Sequence, residues 1–132
     1  MAGMKRQNVF DGTEVTGGGY ARAVRVGPHI HVAGTTSMNA EGHPVAFDVY
    51  GQTRETYRKI AAALEKCGAG IKDIVRVTVY ITDMGEAPAF MRAHAEAMAG
   101  NTPASALIGT TALYKPDLLI EIEAYAILAE DA

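Results

Sequence analysis

Apolar positions change period several times along the chain, and each change marks an element. Residues 48–67 repeat at about 3.6 residues, the spacing of one helix face. Val49, Tyr57, Ile60, Ala61, Leu64 and Cys67 share a side, while Arg54, Glu55, Arg58, Lys59, Glu65 and Lys66 fall mostly on the other. Asp48 is placed to cap this helix and Gly68 to end it. The period drops to two over Ile74–Thr82, which predicts a strand. Val75, Val77, Val79 and Ile81 form one face, with Ile74, Arg76, Thr78, Tyr80 and Thr82 on the other. A second helix is predicted from about Glu86 to Met98, with Pro88 tolerated in its first turn and Gly100 at its end.

Shorter runs complete the series. Ala21–Val26 and His29–Ala33 flank Gly27-Pro28 and read as a hairpin. Gly34 to Gly42 is turn-rich and polar, a loop. Ser105–Thr111 is a short strand. Leu118–Leu128 is a long one, with Leu118, Ile120, Ile122, Ala124, Ala126 and Leu128 facing one way. The predicted order is β-β-α-β-α-β-β, an α+β domain in which two helices cover one face of a sheet. The uncovered face carries Tyr80, Thr78, Leu119, Tyr125 and Ile127 beside Arg76, Glu121 and Glu123. That mixture suits a subunit interface; an ordinary solvated face is the other reading.

Composition narrows the picture. The 132 residues fit a single domain over 1–132, and 48% hydrophobic content supports a core without disulfides or a structural metal. Residues 1–15 are expected as a loosely ordered lead-in. They carry Lys5, Arg6, Asp11 and Glu14 and no apolar segment of the secretory kind. No run approaches the roughly 18 apolar residues of a membrane span. Twelve Lys and Arg against fifteen Asp and Glu give a formal charge of −3, which argues against nucleic acid as a partner. A lone cysteine, Cys67, allows no internal disulfide, consistent with a cytoplasmic location. Its place on the buried helix side suggests an inert thiol. His29 and His31 form a His-x-His pair, but His43 and His94 fall in a loop and a helix, so no metal site is expected. No cofactor motif stands out: Gly17-Gly18-Gly19 precedes a strand, where it cannot offer a helix N-terminus to phosphate.

Four stretches together resemble the reactive intermediate deaminase (Rid, or YjgF-type) family, formerly called L-PSP endoribonucleases or translation inhibitors. Gly19-Tyr20-Ala21-Arg22-Ala23-Val24 is similar to that family's entry strand. Ile30-His31-Val32-Ala33-Gly34-Thr35 is similar to its next strand end. Ile74–Asp83 resembles its central strand, and Leu119-Ile120-Glu121-Ile122-Glu123-Ala124 its closing strand. The resemblance implies a chorismate mutase-like fold and a homotrimer whose sheets meet in a central barrel. It also implies small-molecule sites between subunits. There the deaminase members hydrolyse enamines and imines, holding the substrate carboxylate with an arginine and positioning water with a glutamate.

Carried onto this chain, the resemblance makes Glu121 the water-positioning carboxylate; pairing with Arg76 or another arginine is the structural alternative. Tyr20, Ala33 and Gly34 become pocket residues. The family's Pro-x-Arg-Ser run reads Pro103-Ala104-Ser105-Ala106 here, so Ser105 stands at the arginine position. A guanidinium gives a carboxylate two charge-assisted hydrogen bonds, and a serine gives one neutral bond. Ordinary 2-aminoacrylate deamination is therefore not expected. Arg22 is a candidate replacement anchor, with an exposed strand arginine as the alternative. Glu123 is read as a structural salt-bridge partner. Two functions remain open: hydrolysis of an enamine- or imine-type bond, and non-catalytic binding of a small metabolite in the same cleft.

Overall fold

The computed structural model describes residues 4–129. One six-stranded sheet, in the order β1-β2-β3-β6-β4-β5, carries both helices on one face. The strands are β1 (Arg6–Val9), β2 (Ala23–Val26), β3 (His29–Thr35), β4 (Ile74–Ile81), β5 (Ala104–Gly109) and β6 (Ile120–Ile127). The helices are α1 (Val49–Lys66) and α2 (Ala87–Met98). All pairings are antiparallel except β4 with β5, which α2 joins as a parallel crossover.

Strand β1 corrects the expected lead-in. Arg6–Val9 pairs in register with Val26–Ala23, and Val9 is buried against the core. Arg6, Gln7 and Asn8 are exposed, so only one position of this strand carries the hydrophobic signal from which a strand could be read.

Asp48 caps α1 as predicted, its Oδ1 accepting from Gly51 N at 3.2 Å. Gly68 follows the helix at φ +79°, the left-handed turn that glycine makes without strain. The second helix ends at Met98 as predicted, but the left-handed cap is Ala99, at φ +49°, rather than Gly100.

The core lies between the helices and the inner sheet face. Ile30, Ile60, Leu64, Val77, Val79, Ile81, Ile120 and Ile122 are fully buried there. The predicted alternation of β4 fails at its start. A bulge between Ile74 and Arg76 turns Val75 outward and Ile74 inward, and alternation resumes from Val77. A bulge adds a residue to one strand, which shifts the side-chain period.

Candidate functional site

A second bulge builds the site. Val32 pairs with Ala124 and Thr35 with Ile122, so Ala33 and Gly34 together stand opposite Glu123. The irregularity bends β3 beside Glu121. A Cβ added at Gly34 would lie 3.0 Å from Glu121 Oε2, so the carboxylate packs directly on the glycine backbone. Gly34 is thus required for close approach rather than for a turn.

Around this contact lies a cavity of about 340 Å³, walled by Tyr20, Arg22, Ala33, Gly34, Lys59 and Glu121 among others. Thr13 and Val15 from the first loop, Tyr114 and Leu118 from the 112–118 loop, and Thr36 and Met38 complete it. Five of the six residues singled out from sequence therefore meet at one place. The sixth, Ser105, is exposed on β5 opposite Val77 and does not line this cavity within one chain.

Glu121 is half-buried. Burial pushes its carboxyl above the ordinary value, Glu123 adds to the rise, and Arg22 opposes it. A group that holds a proton nearer neutrality can both accept and return one. The Arg76 alternative is not realised: Arg76 lies opposite Tyr125, whereas Glu121 lies opposite Tyr80. Glu123 is exposed and meets the Tyr80 hydroxyl at 3.4 Å, and among the described residues it makes no ion pair.

Arg22 is not an exposed strand arginine. It is 3% exposed, and its contacts organise the bulge. Nη1 donates to Gly34 O at 2.9 Å and to Thr35 Oγ1 at 3.1 Å, while Nη2 donates to Thr13 Oγ1 at 3.3 Å. Nε faces Asp11 Oδ2 at 3.7 Å and Glu14 Oε2 at 3.6 Å. Burial raises the Asp11 carboxyl. Donation from the Thr13 hydroxyl and backbone N–H to Oδ1, together with the charge of Arg22, outweighs that and brings it down to about 2. The exposed-strand alternative fails because the partners of Arg22 lie outside its own strand, in the loop eight to eleven residues upstream and in the bulge at Gly34 and Thr35.

Tyr20 closes one side. Its hydroxyl accepts from Val15 N at 2.9 Å, and the Arg22 guanidinium sits 5.7 Å from its ring centre. On the opposite side, Gln52 of α1 is fully buried. Its Nε2 donates to Asp117 O at 2.9 Å and to Ala46 O at 3.2 Å, and its Oε1 accepts from Leu119 N at 2.8 Å. Gln52 thereby fixes the loop that supplies Tyr114 and Leu118.

The helical pattern places Lys59 toward the solvent side of α1. It is 5% exposed, and Nζ donates to Thr36 O at 2.9 Å and to Met38 O at 2.8 Å. Burial lowers its ammonium to about 8, with Arg22 and Arg58 acting in the same direction. Its place one residue before Ile60, at the edge of the apolar stripe, is the only sequence sign of this burial.

The histidines serve elsewhere. His29 Nδ1 and the Tyr125 hydroxyl are 2.5 Å apart, and His31 packs on the Tyr125 ring. His94 Nδ1 meets the Tyr57 hydroxyl at 2.6 Å. Among the described residues, no three His, Cys, Asp or Glu side chains gather as a metal set. Cys67 is buried, and burial raises its thiol. No described helix is long and apolar enough to cross a membrane.

Comparison with known proteins shows the family and the fold. The family model for endoribonuclease L-PSP matches residues 13–128. A RutC family protein of Pyrococcus abyssi is 36% identical over 110 residues, covering 83% of this chain and 86% of its own. A 2-iminobutanoate/2-iminopropanoate deaminase of Dermatophagoides farinae is 26% identical over 112 residues, covering 84% and 87%. The crystal structure of a YjgF/YER057c/UK114 family member from Mycobacterium tuberculosis superposes with a TM-score of 0.85 at 38% identity, covering 94% of this chain and all of the other.

Proposed function

Since the chain belongs to the endoribonuclease L-PSP family, also called YjgF or Rid, we propose that it is a hydrolase of small enamine- or imine-type metabolites, working as a homotrimer. Glu121 carries the reading. Its carboxylate is held against Gly34 at the wall of a mainly apolar cavity, with a proton affinity raised by burial. Water enters beside it, and Glu121 takes one proton as the oxygen adds to the imine carbon and passes it to the nitrogen; it then takes the hydroxyl proton of the resulting carbinolamine and delivers it to the nitrogen, which leaves as ammonia while the carbonyl forms. Tyr20 and Ala33 bound the ligand, and Arg22 holds the bulge that aims the carboxylate.

Trimer assembly is supported by the uncovered sheet face, where His29, His31, Arg76, Tyr80 and Tyr125 sit without helices above them. A neighbouring copy would cover that face and bring Ser105 of β5 toward a second cavity. Light scattering should give the mass of three chains; the mass of one chain refutes the shared-site arrangement.

The activity test is hydrolysis of 2-iminobutanoate generated in place from 2-aminobutanoate by an amino-acid oxidase. The mite relative is named for this substrate. Release of 2-oxobutanoate should exceed the buffer rate, yet remain below that of an arginine-bearing relative measured alongside. A rate equal to buffer, with ligand still binding in the cavity, selects the second reading, a non-catalytic metabolite binder.

A further inference from the structure

The cavity holds two buried cations that are balanced very differently. Arg22 faces Asp11 and Glu14, and its two Nη atoms are engaged by Gly34, Thr35 and Thr13. Lys59 has no such partner. Among the described residues no carboxylate comes within ion-pair distance of Nζ, although the side chain is 5% exposed. Its two acceptors are neutral carbonyls, Thr36 O and Met38 O. Buried charges in proteins are ordinarily paired, because removing an ion from water without a counter-charge is costly. An ammonium nitrogen also has three hydrogens, and two carbonyls leave the third uncommitted. Lys59 lines the same cavity as Glu121, and no ion pair joins them.

From this arrangement we infer that Lys59 is the ligand's anion anchor, receiving the carboxylate of a small oxo- or imino-acid whose reacting carbon lies toward Glu121. The inference rests on the hydrolase reading above and assigns to α1 the role that Ser105 on β5 cannot fill. A single carboxylate supplies the missing counter-charge, accepts the third N–H, and leaves the two carbonyl bonds of Lys59 intact. Arg22 does not compete for it, being already neutralised from behind by the first loop. Specificity follows: the ligand's acid group must reach the helix side of the cavity rather than the outer strand.

The groups around Lys59 set a pH signature. Burial, Arg22 and Arg58 disfavour the ammonium, Asp11 and Glu55 favour it, and the balance puts it at about 8. A ligand that needs the charged form should therefore bind roughly tenfold more weakly at about pH 9 than at about pH 7.

Calorimetric titration of the full-length protein with pyruvate and with 2-oxobutanoate tests the assignment. Wild type should bind, with the stated loss of affinity toward alkaline pH. Lys59→Met should lose at least about tenfold in affinity, and Lys59→Arg should stay within a few-fold of wild type. Melting curves establish that each variant is folded. Equal affinity in a folded Lys59→Met variant overturns the inference, as does the absence of binding by both acids. If Lys59→Met does not fold, the wild-type pH profile decides: a flat affinity across that range overturns the anchor. Binding that depends on Lys59 without any imine hydrolysis would refute the hydrolase reading and leave the anchor standing. Hydrolysis whose KM is indifferent to Lys59→Met would do the reverse.

Discussion

Strands β6 and β5 flank β4 on opposite sides, and they treat their polar residues in opposite ways. β6 is paired along both edges, and its Glu121 is half-buried beside a bulge, a buried arginine and a closed loop. β5 is paired only with β4, and Ala104, Ser105, Ile108 and Gly109 are exposed. Both strands hold a position where the family resemblance expects chemistry. Within one chain, only the β6 position has an environment that alters a proton affinity. In the proposed trimer, another copy would cover that edge and give the β5 position its surroundings. An edge strand exposes unpaired backbone and invites such pairing or covering.

The contrast can be broken most forcefully at Arg22. Arg22→Met removes three hydrogen-bond donations and leaves Asp11 and Glu14 facing an apolar wall. The expected cost is about 3–5 kcal/mol of stability, measured by urea unfolding. Ser105→Ala, on the exposed strand, should stay within about 0.5 kcal/mol. Similar losses in both would erase the distinction.

Gly34→Ala is the next largest. The new Cβ meets Glu121 Oε2 at 3.0 Å, a tight contact that displaces the carboxylate. Imine hydrolysis should fall by at least about tenfold with only about 1 kcal/mol of stability lost. Unchanged kcat would show that the carboxylate need not sit on the bulge.

Acid should separate the regions too. Asp11 is held down at about 2 in the folded protein, so its contribution is present above the unfolded value and disappears as pH falls through 2. The site is partly open, so the loss is on the order of 1 kcal/mol. Strand β5 has no titrating residue and adds nothing to this limb. An Asp11→Asn variant should flatten the acid limb of an unfolding series, and an unchanged limb would place the titration elsewhere.

The smallest effect belongs to Ser105→Arg. The residue is exposed, so stability should shift by less than about 0.5 kcal/mol. In a trimer the new guanidinium should raise pyruvate affinity a few-fold. Unaltered affinity would mean that β5 does not reach a neighbouring cavity.

These contrasts mark what the sequence could disclose. Long periodic segments gave α1, α2, β4 and β6 nearly to their ends, because repeated apolar spacing encodes a buried face. The motif around Glu121 and Gly34 located the cavity. Strand β1 stayed hidden because only Val9 turns inward. The bulge at Val75 broke an alternation that local pattern extends by default. Arg22, Gln52 and Lys59 were missed as organisers since their partners lie in distant loops. A buried polar residue with distant partners looks, in sequence, like a surface one.

The central claim is that Glu121, and not its neighbour on the same strand, moves the proton. The direct measurement is the 2-iminobutanoate hydrolysis rate of Glu121→Gln beside Glu123→Gln, with both variants shown to be folded trimers. Glu121→Gln should lose at least about a hundredfold in kcat and Glu123→Gln less than about threefold. The wild-type rate should fall toward acid pH with an apparent pKa above the ordinary 4.5 of a glutamate, as burial of Glu121 requires. A Glu121→Gln enzyme that retains the wild-type rate would contradict the account.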